Sequence, residues 1–288
     1  MVRIIISVLA FLVFAPLAGG ILTGITEKAS ARVQGREGRD ITRPISDVIA
    51  LLNKSSGEKG GIQSYYIKVS LFFYAVSGSL FVAGIDLLMT IACLGLGVIF
   101  LVLAANAYGT YYSKIGADRL VMEMVAAAPM MMMTAIGFYV LCGSFDAMEL
   151  TSSGPVAFLP MIGLFAGFIF IACSRLRRTG FEYLMPHTMY QKDMNSIADA
   201  FSRKDAAYSE IGSWYEKVTL YGIIYAFFAD GTILMMAVGV AVCVATAVLQ
   251  GVIENIAPHD NSKRAFKASW IAAFIIGAIN LTVLYIVI

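Results

Sequence analysis

The stretch at residues 24–53, GITEKASARVQGREGRDITRPISDVIALLN, decides how the rest of the chain is read. It begins where the first apolar run stops and crowds Lys28, Arg32, Arg36, Arg39 and Arg43 into a short loop. It then turns amphipathic: Ile45, Val48, Ile49 and Leu52 follow the i, i+3, i+4, i+7 spacing that lines one helical face. Pro44 suits a first helical turn, and Asp47 lies near the positive end of the helix dipole. A helix this short cannot cross a bilayer; with one apolar stripe it lies along the membrane surface or against other helices.

Outward from this stretch the chain is greasy. Apolar residues make up 59% of it, charged residues only 14%, and the mean hydropathy is +0.79, which together indicate a polytopic membrane protein. Eight apolar runs approach the roughly 20 residues a helix needs to span the hydrocarbon. They fall at 4–22, 67–85, 87–107, 120–142, 155–173, 213–229, 232–253 and 268–288. The expected fold is therefore all-α: one membrane domain, 1–288, of about eight transmembrane helices. A first cytoplasmic loop, 23–65, holds the amphipathic surface helix at 44–53, and a long cytoplasmic loop covers 174–212. Gly84 and Asp86 break one continuous greasy stretch into a tight hairpin between spans two and three. Arg3, the apolar core after it and the small residues at 15–20 are also features of a cleaved signal peptide; the loop that follows favours a retained helix.

Charge supports eight spans. The loops after spans one, three, five and seven then share one side and, with Lys68 and Lys217 at the span ends that border them, hold 20 of the 21 basic residues, with Arg3 alone opposite. The other loops carry Asp86, Asp146, Glu149 and Asp230 and no base. The positive-inside rule puts the basic loops in the cytoplasm of a cell-membrane protein and both termini outside.

Several chemistries are not written here. Cys93, Cys142, Cys173 and Cys243 are isolated in or at the end of apolar runs, and His187 and His259 stand singly in polar loops, so no metal site, iron–sulfur site or disulfide framework is expected. There is no phosphate loop, nucleophilic triad or nucleotide fingerprint. The bases are shared among loops that close on a lipid bilayer, which argues against nucleic acid.

An acid or base deep in hydrocarbon is a functional hypothesis by default. The middle of each proposed span shows none, only polar residues such as Asn106, Asn280, Tyr74, Tyr139, Tyr221 and Tyr225. Ionisable groups gather at the cytoplasmic ends: Asp118, Arg119 and Glu123 entering span four, Glu182 after span five, Glu216 entering span six and Glu254 leaving span seven. Glu123 and Glu216 have two readings. Either they line a hydrated cavity that passes protons, or they are first-turn acids held by the helix dipole and by Arg119 or Lys217. The first-loop arginines either mark topology and anchor lipid, or dock a partner through Arg32 and Arg36, with Gly35 and Gly38 shaping the backbone. Met130 to Met133 read as packing.

The run GITEKASARVQGREG followed by an amphipathic helix resembles the first cytoplasmic loop of the membrane-anchor family of respiratory complex I. It resembles more closely the homologous membrane-anchor chain of energy-converting, group 4 NiFe hydrogenases. Gly24, Lys28, Ala31, Arg32, Gln34, Gly35, Arg36 and Gly38 carry the likeness. Weaker matches are GADRLVME at 116–123, the run with Arg178, Phe181 and Glu182, the pair Tyr208 and Ser209, and Pro258, Trp270 and Asn280 near the C-terminus. Three acidic positions of the family are instead Ala128, Ala207 and Arg175. The chain is thus similar to a divergent, hydrogenase-type member, and the quinone pocket of complex I does not carry over.

The resemblance implies a membrane subunit of an oxidoreductase complex with no redox centre or cofactor of its own. The NiFe centre and iron–sulfur clusters would sit in hydrogenase-like large and small subunits, with antiporter-like membrane subunits alongside. This chain would anchor a ferredoxin-linked redox module and couple electron transfer to proton or sodium translocation. Its relay candidates are Glu123, Glu216 and Glu182; its docking candidates are Lys28, Arg32, Gln34, Gly35, Arg36, Gly38, Arg119 and Arg178. The alternatives are a quinone- or methanophenazine-reducing relative, a purely structural anchor, or a stand-alone secondary ion transporter. The last needs a midplane site at Asn106, at Asn280 or in a helix broken near Asp230 and Gly231.

Overall fold

The computed structural model describes residues 2–53, 61–146, 157–176, 203–229, 232–256 and 262–287. In chain order its helices are α1 (Val2–Val33), α2 (Arg43–Asn53), α3 (Ile62–Val82), α4 (Leu87–Tyr108) and α5 (Tyr111–Cys142). They continue with α6 (Ile162–Leu176), α7 (Arg203–Ala226), α8 (Ile233–Ile256) and α9 (Ser262–Ala272). A π-helical turn, Ala273–Gly277, then runs directly into α10 (Ala278–Val287). Among the described residues there is no strand, only a lone bridge between Asp86 and Asp146.

Among the described residues, six helices are long and apolar enough to cross a membrane: α1, α3, α4, α5, α8 and the continuous unit from α9 to α10. The other two expected spans differ. Helix α6 is apolar but only 15 residues long, and α7 has 24 residues but is studded with charge. The all-α membrane class stands, and the six apolar helices stand with it.

Helix boundaries depart from the apolar runs because polar residues continue a helix when neighbours satisfy them. Helix α1 does not stop at residue 22; Thr23 and Thr26 donate their hydroxyls to the carbonyls of Gly19 and Leu22, both at 3.0 Å, and the helix runs on to Val33. Its end is a left-handed glycine cap. Gly35 has φ 70°, its N–H bonds to the Arg32 carbonyl at 3.0 Å, and the Arg36 N–H reaches the Ala31 carbonyl at 2.9 Å. Lys28 and Arg32 therefore ride on α1 rather than in the loop. Helix α5 starts nine residues before the apolar run, where Gly109 (φ 71°) ends α4 and the Thr110 hydroxyl accepts the Ser113 N–H. The expected hairpin forms between α3 and α4, with Gly84 at φ 77° and Asp86 capping α4 through the Leu88 N–H at 2.9 Å.

Packing gives the amphipathic helix its place. Ile45, Val48, Leu51 and Leu52 of α2 lie against Ala207, Ile211 and Trp214 of α7, whereas Ile49, of the expected stripe, is 52% exposed. At the opposite end, Phe138, Phe158, Phe165, Phe168, Phe227 and Phe228 interlock α5 and α6 with the segment after α7. Large apolar side chains along the outer faces of α1, α8 and the C-terminal helices remain exposed, as lipid-facing surfaces do.

Small residues let α7 approach its neighbours. A Cβ on Gly19 would fall 2.6 Å from Trp214 Cβ and 2.9 Å from its Cα, so the backbones themselves are close. Gly19→Val should destabilise the chain by about 1–3 kcal/mol through overpacking. Gly95→Ala, where a Cβ meets nothing within 4 Å, should be tolerated. Thermal unfolding of the two variants in the same detergent checks the contrast.

Candidate functional site

The site is built on α7, a helix that the sequence places partly in a loop and partly in a span. Its 24 residues carry two polar faces. Asp205, Gly212, Glu216 and Thr219 fall at i, i+7, i+11 and i+14, while Glu210, Trp214, Lys217 and Tyr221 fall at i, i+4, i+7 and i+11. Each set meets a different neighbour.

The first face meets α3 and α4. Ser64 donates its hydroxyl to Asp205 Oδ1 at 2.7 Å, and Tyr108 donates to Oδ2 at 3.2 Å, so both carboxylate oxygens of a side chain only 5% exposed are bonded. Higher on the same face, Gly212 lies against the Tyr74 ring and Gly78 leaves room for the Thr219 hydroxyl. Glu216 sits between these contacts, 1% exposed. Lys68 on α3 stands 5.8 Å from the centre of the Tyr208 ring and flanks the lower end.

The second face meets α1 and α8. Trp214 packs on Gly19 and donates its indole N–H to Glu210 Oε1 at 3.1 Å. Lys217, 2% exposed, donates from Nζ to Thr23 Oγ1 at 2.8 Å. One turn further, Tyr221 donates to Gln250 Oε1 of α8 at 3.4 Å, and Thr26 reaches the Ala247 carbonyl at 3.3 Å. The result is a hydroxyl- and amide-lined seam in the α1–α7–α8 junction.

These positions correct the sequence reading of the charged groups. Because α7 begins at Arg203, Glu216 and Lys217 lie near its middle and are buried; they are neither first-turn residues nor loop residues. The expectation that no ionisable side chain occurs mid-helix fails for the same reason: charge pulled this segment out of the apolar runs, although α1, α2, α3 and α8 enclose it. Glu123 is likewise 12 residues beyond the start of α5, half-buried, one turn after the exposed Arg119. Its dipole reading falls too. Glu182 and Arg178 lie outside the described residues.

The first-loop docking candidates cluster at the end of α1, and Arg119 stands exposed on α5. Arg32, Gln34, Gly35 and Arg36 are exposed around the α1 cap, while Lys28 is half-buried and packs against Gly38. Arg43 pairs with Asp47 at 3.1 Å, but both side chains are well exposed and the pair adds little stability. Of the transporter candidates, Asn106 is exposed at the end of α4, and Asn280 Oδ1 is buried where the Asn280 side chain lies close to Gly163. Asp230 and Gly231 lie outside the described residues. Within those residues no group of three or more His, Cys, Asp or Glu could hold a metal.

Asp205 and Lys217 are the residues that sequence reasoning missed. The signal was present, since the seven- and eleven-residue spacings from Asp205 to Glu216 and from Glu210 to Tyr221 are helical.

The family model for NADH dehydrogenase matches residues 5–285. The chain belongs to the NADH dehydrogenase family. This agrees with the complex I resemblance carried by the first loop, and makes the chain a membrane subunit of the respiratory complex I-like type. No protein of curated function matches the sequence. Among solved structures, the chain is similar to one from the membrane-bound sulfane sulfur reductase, an archaeal respiratory membrane complex. The TM-score is 0.80 at 20% identity, with 98% of this chain and 99% of that one covered. That likeness bears on the fold.

Replacing Asp205 by Ala strands the buried Ser64 hydroxyl and the half-buried Tyr108 hydroxyl and should cost about 1–3 kcal/mol, whereas Tyr108→Phe, which removes one longer bond, should cost about 1 kcal/mol. Thermal unfolding monitored by tryptophan emission checks the order, since Trp214 lies on the same helix.

Proposed function

We propose that this chain is the coupling subunit of an energy-converting, ferredoxin-linked NiFe-hydrogenase-type complex. It anchors the soluble redox module and links electron transfer to proton or sodium movement in antiporter-like partners. The observation that carries this reading is the buried charge of α7: Asp205, Glu216 and Lys217 are each no more than 5% exposed inside a bundle of apolar helices. Buried ionisable groups are expensive and mark ion pathways.

The NiFe centre and iron–sulfur clusters belong, in this reading, to hydrogenase-like large and small subunits. The module docks on the basic edge formed by Arg32 and Arg36 at the α1 cap, with Arg119 of α5 as a separate contact. A redox change there displaces the end of α1 and the base of α7, which alters hydration and proton affinity around Glu216, with Glu123 on α5 as a second relay group. Counting α6 and α7 as crossings gives eight passes, the basic edge in the cytoplasm and both termini outside. A second reading has its own support: the similar fold in a sulfane sulfur reductase makes a sulfur-reducing module the main rival to a hydrogenase. A stand-alone transporter is disfavoured because Asn106 is exposed at a helix end.

Purification of the tagged chain in mild detergent should recover large and small hydrogenase-like subunits with nickel and iron; a sulfur-reducing module without nickel would favour the rival. In the complex reconstituted into vesicles, Glu216→Gln should lower coupled ion movement at least about tenfold while the complex still assembles. Full coupling in that variant would end the relay reading. Reversing both Arg32 and Arg36 to Glu should weaken retention of the redox module about tenfold or more, measured as the salt concentration that strips it from the membrane.

A further inference from the structure

The coupling reading rests on the buried charge of α7 as a whole, but on that helix it assigns a proton-carrying role only to Glu216. Lys217 projects from a different face of the helix, because consecutive helical residues point about 100° apart. It is among the largest fully buried side chains, and its Nζ lies 2.8 Å from Thr23 Oγ1. An ammonium ion in such surroundings is costly, whereas a packing role would be served as well by Met or Leu. The hydroxyl beside it suits a group that changes state: it accepts from an ammonium and can turn to donate to the lone pair of a neutral amine.

We propose that Lys217 is a second proton-carrying group, serving the seam between α1, α7 and α8 while Glu216 serves the face toward α3. This rests on the coupling reading. The step breaks one N–H bond: the ammonium gives up a proton and leaves a neutral amine hydrogen-bonded to Thr23. The proton moves along α1 to the carboxylate of Glu27, one turn beyond Thr23 and half-buried, and from there to water. Lys217 regains a proton in the other half of the cycle.

The groups around Lys217 are consistent with this division. Helix α1 brings Thr23, with Glu27 one turn further along the same face. Helix α8 brings Gln250, bonded to Tyr221, and Cys243, whose Sγ lies 3.4 Å from the Tyr221 carbonyl. On α7 itself, Glu210 shares the face two turns back and is bonded by Trp214, and Glu216 is the adjacent residue. Helix α3 presents Tyr74 to Gly212, on the opposite side, together with Lys68 above the Tyr208 ring. The titratable groups of α2 and α6 are Asp47, paired at the surface with Arg43, and the buried Cys173.

The test compares Lys217→Arg, Lys217→His and wild type in the complex reconstituted into vesicles, with coupled ion movement followed across pH. Arg keeps the charge but does not release its proton, so coupling should fall at least about tenfold at every pH. His should restore coupling with its pH profile displaced toward acid by more than about one unit. Wild-type coupling in the Arg variant, or an undisplaced profile in the His variant, would show a fixed structural cation and overturn the proposal.

A second measurement does not depend on ion movement or on the folding of the Arg variant. In the wild-type complex labelled with nitrogen-15 lysine, the side-chain resonance that disappears in Lys217→Met should pass from an ammonium to an amine signature over the pH range in which the complex couples. A resonance that stays an ammonium throughout would also overturn it. A wild-type complex that moves no ions would instead end the coupling reading, and the titration alone would then decide whether Lys217 releases its proton.

Discussion

Burying a charged helix is the constraint on which the rest of this structure depends. Helix α7 carries the buried side chains of Asp205, Glu210, Glu216 and Lys217 among largely apolar helices. Each buried charge must find polar atoms; Ser64 and Tyr108 on α3 and α4 supply them for Asp205 and Thr23 on α1 for Lys217, while Glu210 is served within α7 by Trp214. Such contacts are directional, so they fix rotation and depth in a way that apolar packing alone does not. Glycines at 19, 78 and 212 complete the arrangement by letting the neighbours come within reach.

This explains why the amphipathic helix lies where it does. The polar part of α7, near Asp205 to Trp214, would otherwise leave Ala207, Ile211 and the Trp214 ring uncovered. Helix α2 covers them with Ile45, Val48 and Leu52, so the first loop and the most charged helix are folded against one another. The basic edge and the buried acids, far apart in sequence, therefore belong to one structural unit.

Much of this was legible in the sequence, and the omissions share one physical cause. The six apolar helices, the hairpin at Gly84, the amphipathic stripe and the family-like first loop all announce themselves by composition or spacing. What misled was treating polarity as the end of a helix. Thr23 to Val33, Tyr111 to Arg119 and Arg203 to Gly212 are polar, yet they are helical because neighbouring groups or the helix's own carbonyls satisfy them. Glu216 was found from its residue type but assigned the wrong depth. Asp205 was passed over because the Tyr208–Ser209 match placed it in a loop, and its partners, Ser64 and Tyr108, lie 141 and 97 residues away.

The length of α1 has a mechanical consequence. Thirty-two residues at about 1.5 Å each make a rod of about 48 Å, against a hydrocarbon layer of about 30 Å, so a little over a third of its length exceeds that layer. Arg32 at the tip and Thr23 beside the buried amine are nine residues apart on one unbroken helix, about 13 Å along its axis. No hinge separates them. A load applied at the rim is delivered to the interior as a rigid-body shift of the rod, and the stroke that reaches Thr23 is as large as the stroke made at Arg32.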